Sequence, residues 1–90
     1  MADLSNTMYF TIASANEPSA KQVLASVYEA MAEKGYNPVS QIVGYIMSGD
    51  PTYITSHKNA RSVIMKVERD ELVEELLRAY IKNHSWDDAE

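Results

Sequence analysis

Two Asn/Asp–Pro steps divide the middle of this chain into segments that leave room only for short helices. Asn37-Pro38 and Asp50-Pro51 each place a helix-capping side chain before a proline. Proline fits the first helical position because its missing N–H needs no partner there. Gly35 and Gly49 stand just before these steps, and glycine readily adopts the left-handed conformation that ends a helix. The spacing therefore predicts a series of short helices.

Apolar residues between these boundaries recur at helical spacing and predict four helices. The first spans residues 19–34 and opens on a capping box of Ser19 and Gln22. The second runs from Pro38 to the stop at Gly49, the third covers 57–67, and the fourth covers 71–83 with Asp70 as its cap. The predicted apolar stripes are Leu24, Val27, Tyr28 and Met31; Val39, Ile42, Val43, Ile46 and Met47; Ala60, Val63, Ile64 and Val67; and Leu72, Val73, Leu76, Leu77, Tyr80 and Ile81.

Length and composition favour a small, all-α, compact bundle that associates with a second copy of itself. A chain of 90 residues without cysteine has neither disulfides nor cysteine-bound zinc to stabilise it. The second helix is apolar around most of its circumference, and Gly44 within it is expected to let another backbone approach closely. We therefore predict a homodimer. The candidate interface residues are Val39, Ile42, Val43, Ile46, Leu72, Leu76 and Tyr80.

The predicted organisation has three parts: a flexible N-terminal arm at 1–18, a helical dimerisation domain at 19–84 and an acidic tail at 85–90. A net charge of −5 argues against non-specific binding of nucleic acid and against a membrane-surface anchor. No apolar run approaches the roughly 18 residues that would cross a bilayer. The first residues lack the basic and apolar regions of a secretion signal, so we expect a cytoplasmic protein.

Motifs for catalysis or cofactor binding do not emerge from the pattern. The two histidines, His57 and His84, lie far apart without ligand-spaced neighbours, and the three glycines form no phosphate-binding loop. No nucleophile elbow is present either. We therefore expect no metal, no cofactor and no enzymatic activity. The alternative function is a dimeric helix-turn-helix DNA-binding regulator, with the helix opening at His57 and carrying Lys58 and Arg61 as the reading element.

Several strings in this order are similar to the IreB family of small regulatory phosphoproteins from low-GC Gram-positive bacteria. The resemblance covers roughly residues 28–80. The strings are Glu33-Lys34-Gly35-Tyr36-Asn37-Pro38, Gln41-Ile42-Val43-Gly44-Tyr45, Ser48-Gly49-Asp50-Pro51, Asn59-Ala60-Arg61 and Glu68-Arg69-Asp70-Glu71-Leu72-Val73-Glu74-Glu75-Leu76. The resemblance implies a non-catalytic, all-helical homodimer. It further implies signalling downstream of a transmembrane Ser/Thr kinase with PASTA repeats, acting with its partner phosphatase in cell-envelope stress and on an unknown downstream protein.

The same resemblance implies a phosphorylated threonine in the N-terminal arm. Counted back from Phe10, the matching position is Thr7. Leu4 stands where some members carry a second threonine, which leaves Ser5 as a secondary candidate. A phosphate adds about −1.5 to −2 charge, so it requires cationic partners or repels the acidic domain. The candidate partners are Lys58, Arg61 and Lys66.

Overall fold

The computed structural model describes residues 18–86 and folds them entirely into helices and connecting turns, with no strand in that range. Its α-helices are α1 (Ala20–Glu33), α2 (Pro38–Ser48), α3 (Ala60–Ile64) and α4 (Arg69–Asn83), with 3-10 turns at Pro51–Tyr53 and His57–Asn59. The all-helical class and the count of four α-helices are confirmed. Most of the proposed arm, including Thr7 and Ser5, and most of the acidic tail lie outside the described residues.

Helix α1 forms the centre of the core. Its capping box is present: the Gln22 N–H donates to Ser19 Oγ at 3.2 Å, and the Ser19 N–H donates to Gln22 Oε1 at 2.9 Å. The buried face of α1 differs from the predicted stripe, however. Helix α1 packs against α3 and α4, and its buried face includes Val23, which the stripe omitted and which is fully buried. Tyr28, which the predicted stripe includes, is 57% exposed.

Ten buried side chains from all four helices and one connecting segment make a single core. Ile54 comes from the stretch after the first 3-10 turn and is fully buried. Full burial of one large aliphatic side chain contributes about 1.5–3 kcal/mol, so this set supplies the main stabilising term. The members are Val23, Val27, Ala30, Met31, Ile42, Tyr45, Ile54, Ala60, Ile64 and Leu72.

Helix α2 begins and ends as its sequence predicts. Asn37 Oδ1 accepts the Ser40 N–H at 3.1 Å, and Gly49 adopts a left-handed φ of 78° while donating to the Tyr45 carbonyl at 2.7 Å. The Arg69 guanidinium packs on Gly49 and donates to the Ile46 carbonyl at 2.9 Å. This contact joins the start of α4 to the end of α2.

Gly44 makes a close packing contact, but with a side chain rather than the expected backbone. A Cβ atom at this position would lie 2.5 Å from Cδ1 and Cε1 of Tyr53. Gln41 Nε2 donates to the Tyr53 carbonyl at 2.9 Å and holds the 3-10 turn against α2. The glycine therefore makes room for an aromatic ring.

The third and fourth helices differ from prediction at their starts. Lys58 and Asn59 have φ values of 54° and 61°, so the chain turns there and α3 is limited to five residues. Helix α4 begins at Arg69 after the cap residue Glu68, not after Asp70. The reason is that the Glu71 carboxylate accepts the Glu68 N–H at 2.8 Å, which places the helix start two residues earlier.

Candidate functional site

An apolar groove lies where α1, α2 and α4 meet. It has a volume of about 210 Å³ and an almost entirely apolar lining. Ile42 is nearly buried, whereas Val39 and Val43 are 70% and 50% exposed. The residues that define the apolar groove are Leu24, Tyr28, Pro38, Val39, Ile42, Val43 and Leu76. Large apolar side chains gathered at the surface in this way mark interaction sites more often than isolated ones do.

Helix α4 extends this surface with a second row of exposed apolar residues. Val73, Leu76, Leu77 and Tyr80 are each between 45% and 52% exposed, and their spacing puts them on one side of the helix. We call these four residues the α4 stripe. Leu76 also lines the apolar groove, so the two features are continuous. Together they form a candidate interaction surface.

The predicted interface residues divide between this surface and the core. Val39, Val43, Leu76 and Tyr80 are exposed on it, and Ile46 is half-buried. Leu72 is fully buried in the core of its own protomer, so its assignment to an interface is wrong. The sequence analysis did not assign Tyr28, Val73 or Leu77 to this interaction surface. One signal was available: the six apolar residues of the fourth helix are more than one face can bury.

A charged cluster joins the end of α1 to the second 3-10 turn. His57 Nε2 donates to Glu33 Oε1 at 2.9 Å, and Lys58 Nζ donates to Glu33 Oε2 at 2.9 Å. We call these three residues the Glu33 clamp. The hydrogen bond from His57, and then that from Lys58, lowers the pKa of Glu33 below its usual 4.5. The same carboxylate raises the pKa of Lys58 above its usual 10.5.

The predicted phosphate partners do not lie together. Lys58 is in the Glu33 clamp, at the C-terminal end of α1. Lys66 lines a polar cleft beside Pro18, at the opposite end of that helix. Arg61 Nε donates to the Ile54 carbonyl at 2.8 Å and so supports the loop before α3. Lys58 and Lys66 therefore cannot bind the same phosphate together.

The DNA-binding alternative loses the feature that suggested it. The predicted reading helix was to open at His57, but residues 57–59 form a 3-10 turn with left-handed residues. The helix that follows is less than two turns long.

Within residues 18–86, no three His, Cys, Asp or Glu side chains are grouped to hold a metal ion. Nor is any helix of that range long and apolar enough to pass through a bilayer.

Comparison with known proteins identifies the family. The sequence profile of the family described as IreB regulatory phosphoprotein matches residues 5–82. This chain belongs to the IreB family. The match extends the resemblance seen in the sequence into the N-terminal region and covers both Thr7 and the helical domain.

Bacterial relatives named UPF0297 protein agree with membership of the IreB family. One from Lachnoclostridium phytofermentans is 63% identical over 84 residues, or 93% of this chain and 96% of the relative. One from Ruminiclostridium cellulolyticum is 55% identical over 82 residues, covering 91% and 93%. One from Acetivibrio thermocellus is 60% identical over 76 residues, covering 84% of each. Each match covers at least 84% of this chain and of the relative.

Proposed function

We propose that this IreB-family chain is a non-catalytic signalling protein of the cytoplasm. In this proposal a PASTA-type Ser/Thr kinase phosphorylates it during cell-envelope stress, and a cognate phosphatase removes the phosphate. Family membership supports a regulatory phosphoprotein, and the match over residues 5–82 carries the proposal because it includes the arm as well as the domain. The acceptor is Thr7, with Ser5 as a secondary site. The modified protein acts through a downstream protein partner.

The chain acts as a homodimer in this proposal. The exposed apolar groove and α4 stripe support it, because a small domain gains burial when such a face meets a second copy. A stable dimer interface covers about 800 Å² on each partner. Val39, Val43, Leu76 and Tyr80 are the predicted interface residues that remain exposed to form it.

Phosphorylation is tested with the purified kinase of the same organism and intact-mass analysis. We expect the wild-type chain to gain phosphate chiefly at Thr7, and the Thr7→Val variant to lose this main modification, with any residual phosphate at Ser5. Thr11→Val is the matched control, since it removes a nearby threonine of the same arm and should leave the modification unchanged. Phosphate that maps within the helical domain instead of the arm contradicts the proposal.

The dimer is tested by sedimentation equilibrium at micromolar concentration. Leu76→Glu places a charge where the apolar groove meets the α4 stripe and should give a folded monomer. Met65→Glu is the matched control: Met65 is 53% exposed but lies outside both features, so that variant should remain dimeric. A wild-type chain that sediments as a folded monomer would refute the dimer.

A further inference from the structure

We propose that His57 and Lys58 form a binding site for a phosphate monoester, which the Glu33 carboxylate occupies in the unmodified protein. The ligand is the phosphothreonine at position 7 of the same chain. The inference rests on the proposed function, because that function supplies the phosphate. The inference adds where the phosphorylated arm binds, and that its phosphate replaces the Glu33 carboxylate there.

The geometry of the second 3-10 turn is what makes this a site. Adjacent residues of an α-helix point about 100° apart and cannot share one small ligand. Here Lys58 is left-handed, with φ 54°, and the turn brings His57 and Lys58 onto the two oxygens of a single carboxylate, each at 2.9 Å. Two donors from consecutive residues therefore converge on one anion.

A phosphate monoester suits these donors better than the carboxylate that they now hold. A carboxylate offers two oxygens and one negative charge, whereas phosphothreonine offers three oxygens and about −1.5 to −2 charge at neutral pH. Hydrogen bonds between charged groups strengthen with the charge that they join. Lys58 is about half exposed in the Glu33 clamp, so an incoming anion has access to its ammonium.

The arm is long enough to reach the site. Helix α1 has 14 residues and is about 20 Å long, and it separates Pro18 from the Glu33 clamp. Thr7 lies eleven residues before Pro18, a stretch that spans up to about 36 Å when extended. The phosphate can therefore reach the far end of α1, where it displaces the Glu33 carboxylate from His57 and Lys58.

The cations nearer to the arm are less suitable for a phosphate. Lys66 and Arg78 line the polar cleft beside Pro18, but three glutamates line it too. One of them, Glu74, pairs with Arg78 at 3.5 Å. A dianion placed there would meet three carboxylates, whereas at the Glu33 clamp it would displace Glu33 and meet the charge of Glu29, which also acts on Lys58.

The site is tested with full-length protein carrying phosphothreonine installed at position 7 by chemical ligation, so that no kinase is needed. The imidazole of His57 and the ammonium of Lys58 are followed by NMR against the unmodified chain. We expect both signals to shift on modification. In the Lys58→Asn variant the His57 shift should decrease, since loss of an exposed ion pair lowers the docking equilibrium constant by up to about fivefold. Asparagine is chosen because it tolerates the left-handed conformation.

Matched controls separate this site from a general charge effect. His57→Gln should reduce the Lys58 shift, whereas Lys82→Asn removes a lysine from α4 and should change nothing. Glu33→Gln removes the competing carboxylate and should make the shifts larger, but Glu74→Gln, with the same change of charge on α4, should not. Unchanged His57 and Lys58 signals in the phosphorylated wild type would overturn the proposal, even where the kinase modifies Thr7.

Two further experiments identify the source of the phosphate. Inorganic phosphate added to unmodified protein at the same concentration should give smaller shifts, because it lacks the tether of the arm. Labelled unmodified chains mixed with unlabelled phosphorylated chains should show no shift. A shift in that mixture would assign the ligand to a second copy and overturn binding within one chain. Equal shifts with free phosphate would overturn the role of the arm.

Discussion

Replacing Gly44 with alanine should destabilise this protein, although the same change stabilises most helix interiors. Alanine at an exposed helical position is favoured over glycine by about 1 kcal/mol. In this chain the new methyl group would lie 2.5 Å from two ring carbons of Tyr53, well inside van der Waals contact. The ring must move away, and its turn is held to α2 by the hydrogen bond from Gln41.

The magnitude follows from these opposing effects. Forcing a methyl group into a packed contact typically costs about 1–3 kcal/mol, and the helix preference returns about 1 kcal/mol of this. We therefore expect a net loss of about 1 kcal/mol for Gly44→Ala, which lowers the midpoint of thermal unfolding by about 4–8 °C in a domain of this size. In a Tyr53→Ala background the clash is absent, and Gly44→Ala should then stabilise by about 1 kcal/mol.

A double-mutant cycle measures this coupling directly. The four proteins are unfolded in urea at one protein concentration and followed by circular dichroism at the helical band. The reasoning predicts a coupling free energy of about 2 kcal/mol between positions 44 and 53. Additive effects, or a more stable Gly44→Ala protein in the wild-type background, would show that the ring does not occupy the space beside Gly44.

Three other substitutions test separate parts of the structure. Leu72→Ala removes a fully buried side chain and should cost about 3 kcal/mol, against about 1 kcal/mol or less for Met65→Ala, which is 53% exposed and outside the proposed interface; equal losses in urea unfolding would contradict the burial of Leu72. Glu71→Ala should lower stability by about 0.5–1 kcal/mol and Asp70→Ala by a few tenths, because the Glu71 carboxylate accepts the N–H of the cap residue Glu68; the opposite ranking would restore Asp70 as the cap. Folding lowers the pKa of Glu33, so its ionised carboxylate stabilises the folded state above about pH 4.5, and this stabilisation is lost as the pH falls through the lower folded pKa. The stability of Glu33→Gln, measured by unfolding across acid pH, should lack this loss. A pH profile identical to that of the wild type would contradict the Glu33 clamp.

Helix boundaries were predictable where a single local signal decides them. Asn37-Pro38 and Gly49 bound α2 as expected, because the cap, the proline and the left-handed glycine act within one turn of the chain. The capping box of Ser19 was equally local. At the start of α4 two acidic residues competed as caps, and only the side chain that folds back on Glu68 shows that the helix begins earlier.

The direction in which each helix buries its apolar face was harder to predict. In α1 the residues 23, 24, 27, 28 and 31 are all apolar or aromatic, so several stripes fit helical spacing equally well. The helices packed around α1 determine which of these residues are buried. Helix α1 packs against α3 and α4 with Val23 fully buried, whereas Tyr28 lines the apolar groove beside α2. Periodicity therefore locates an amphipathic helix but does not orient it when its apolar arc is wide.

The turn before α3 contacts a residue distant in sequence, and this limits what the sequence could show about the site. Asparagine tolerates the left-handed conformation of residue 59, but lysine adopts it at a cost, so residues 58 and 59 gave no sufficient local signal for a turn. Glu33, which is 24 residues before His57, holds the turn through both of its oxygens. The carboxylate at the end of α1 thus accepts from two donors of a turn that helical periodicity did not predict. That turn presents the two donors of the site that we assign to the phosphorylated arm.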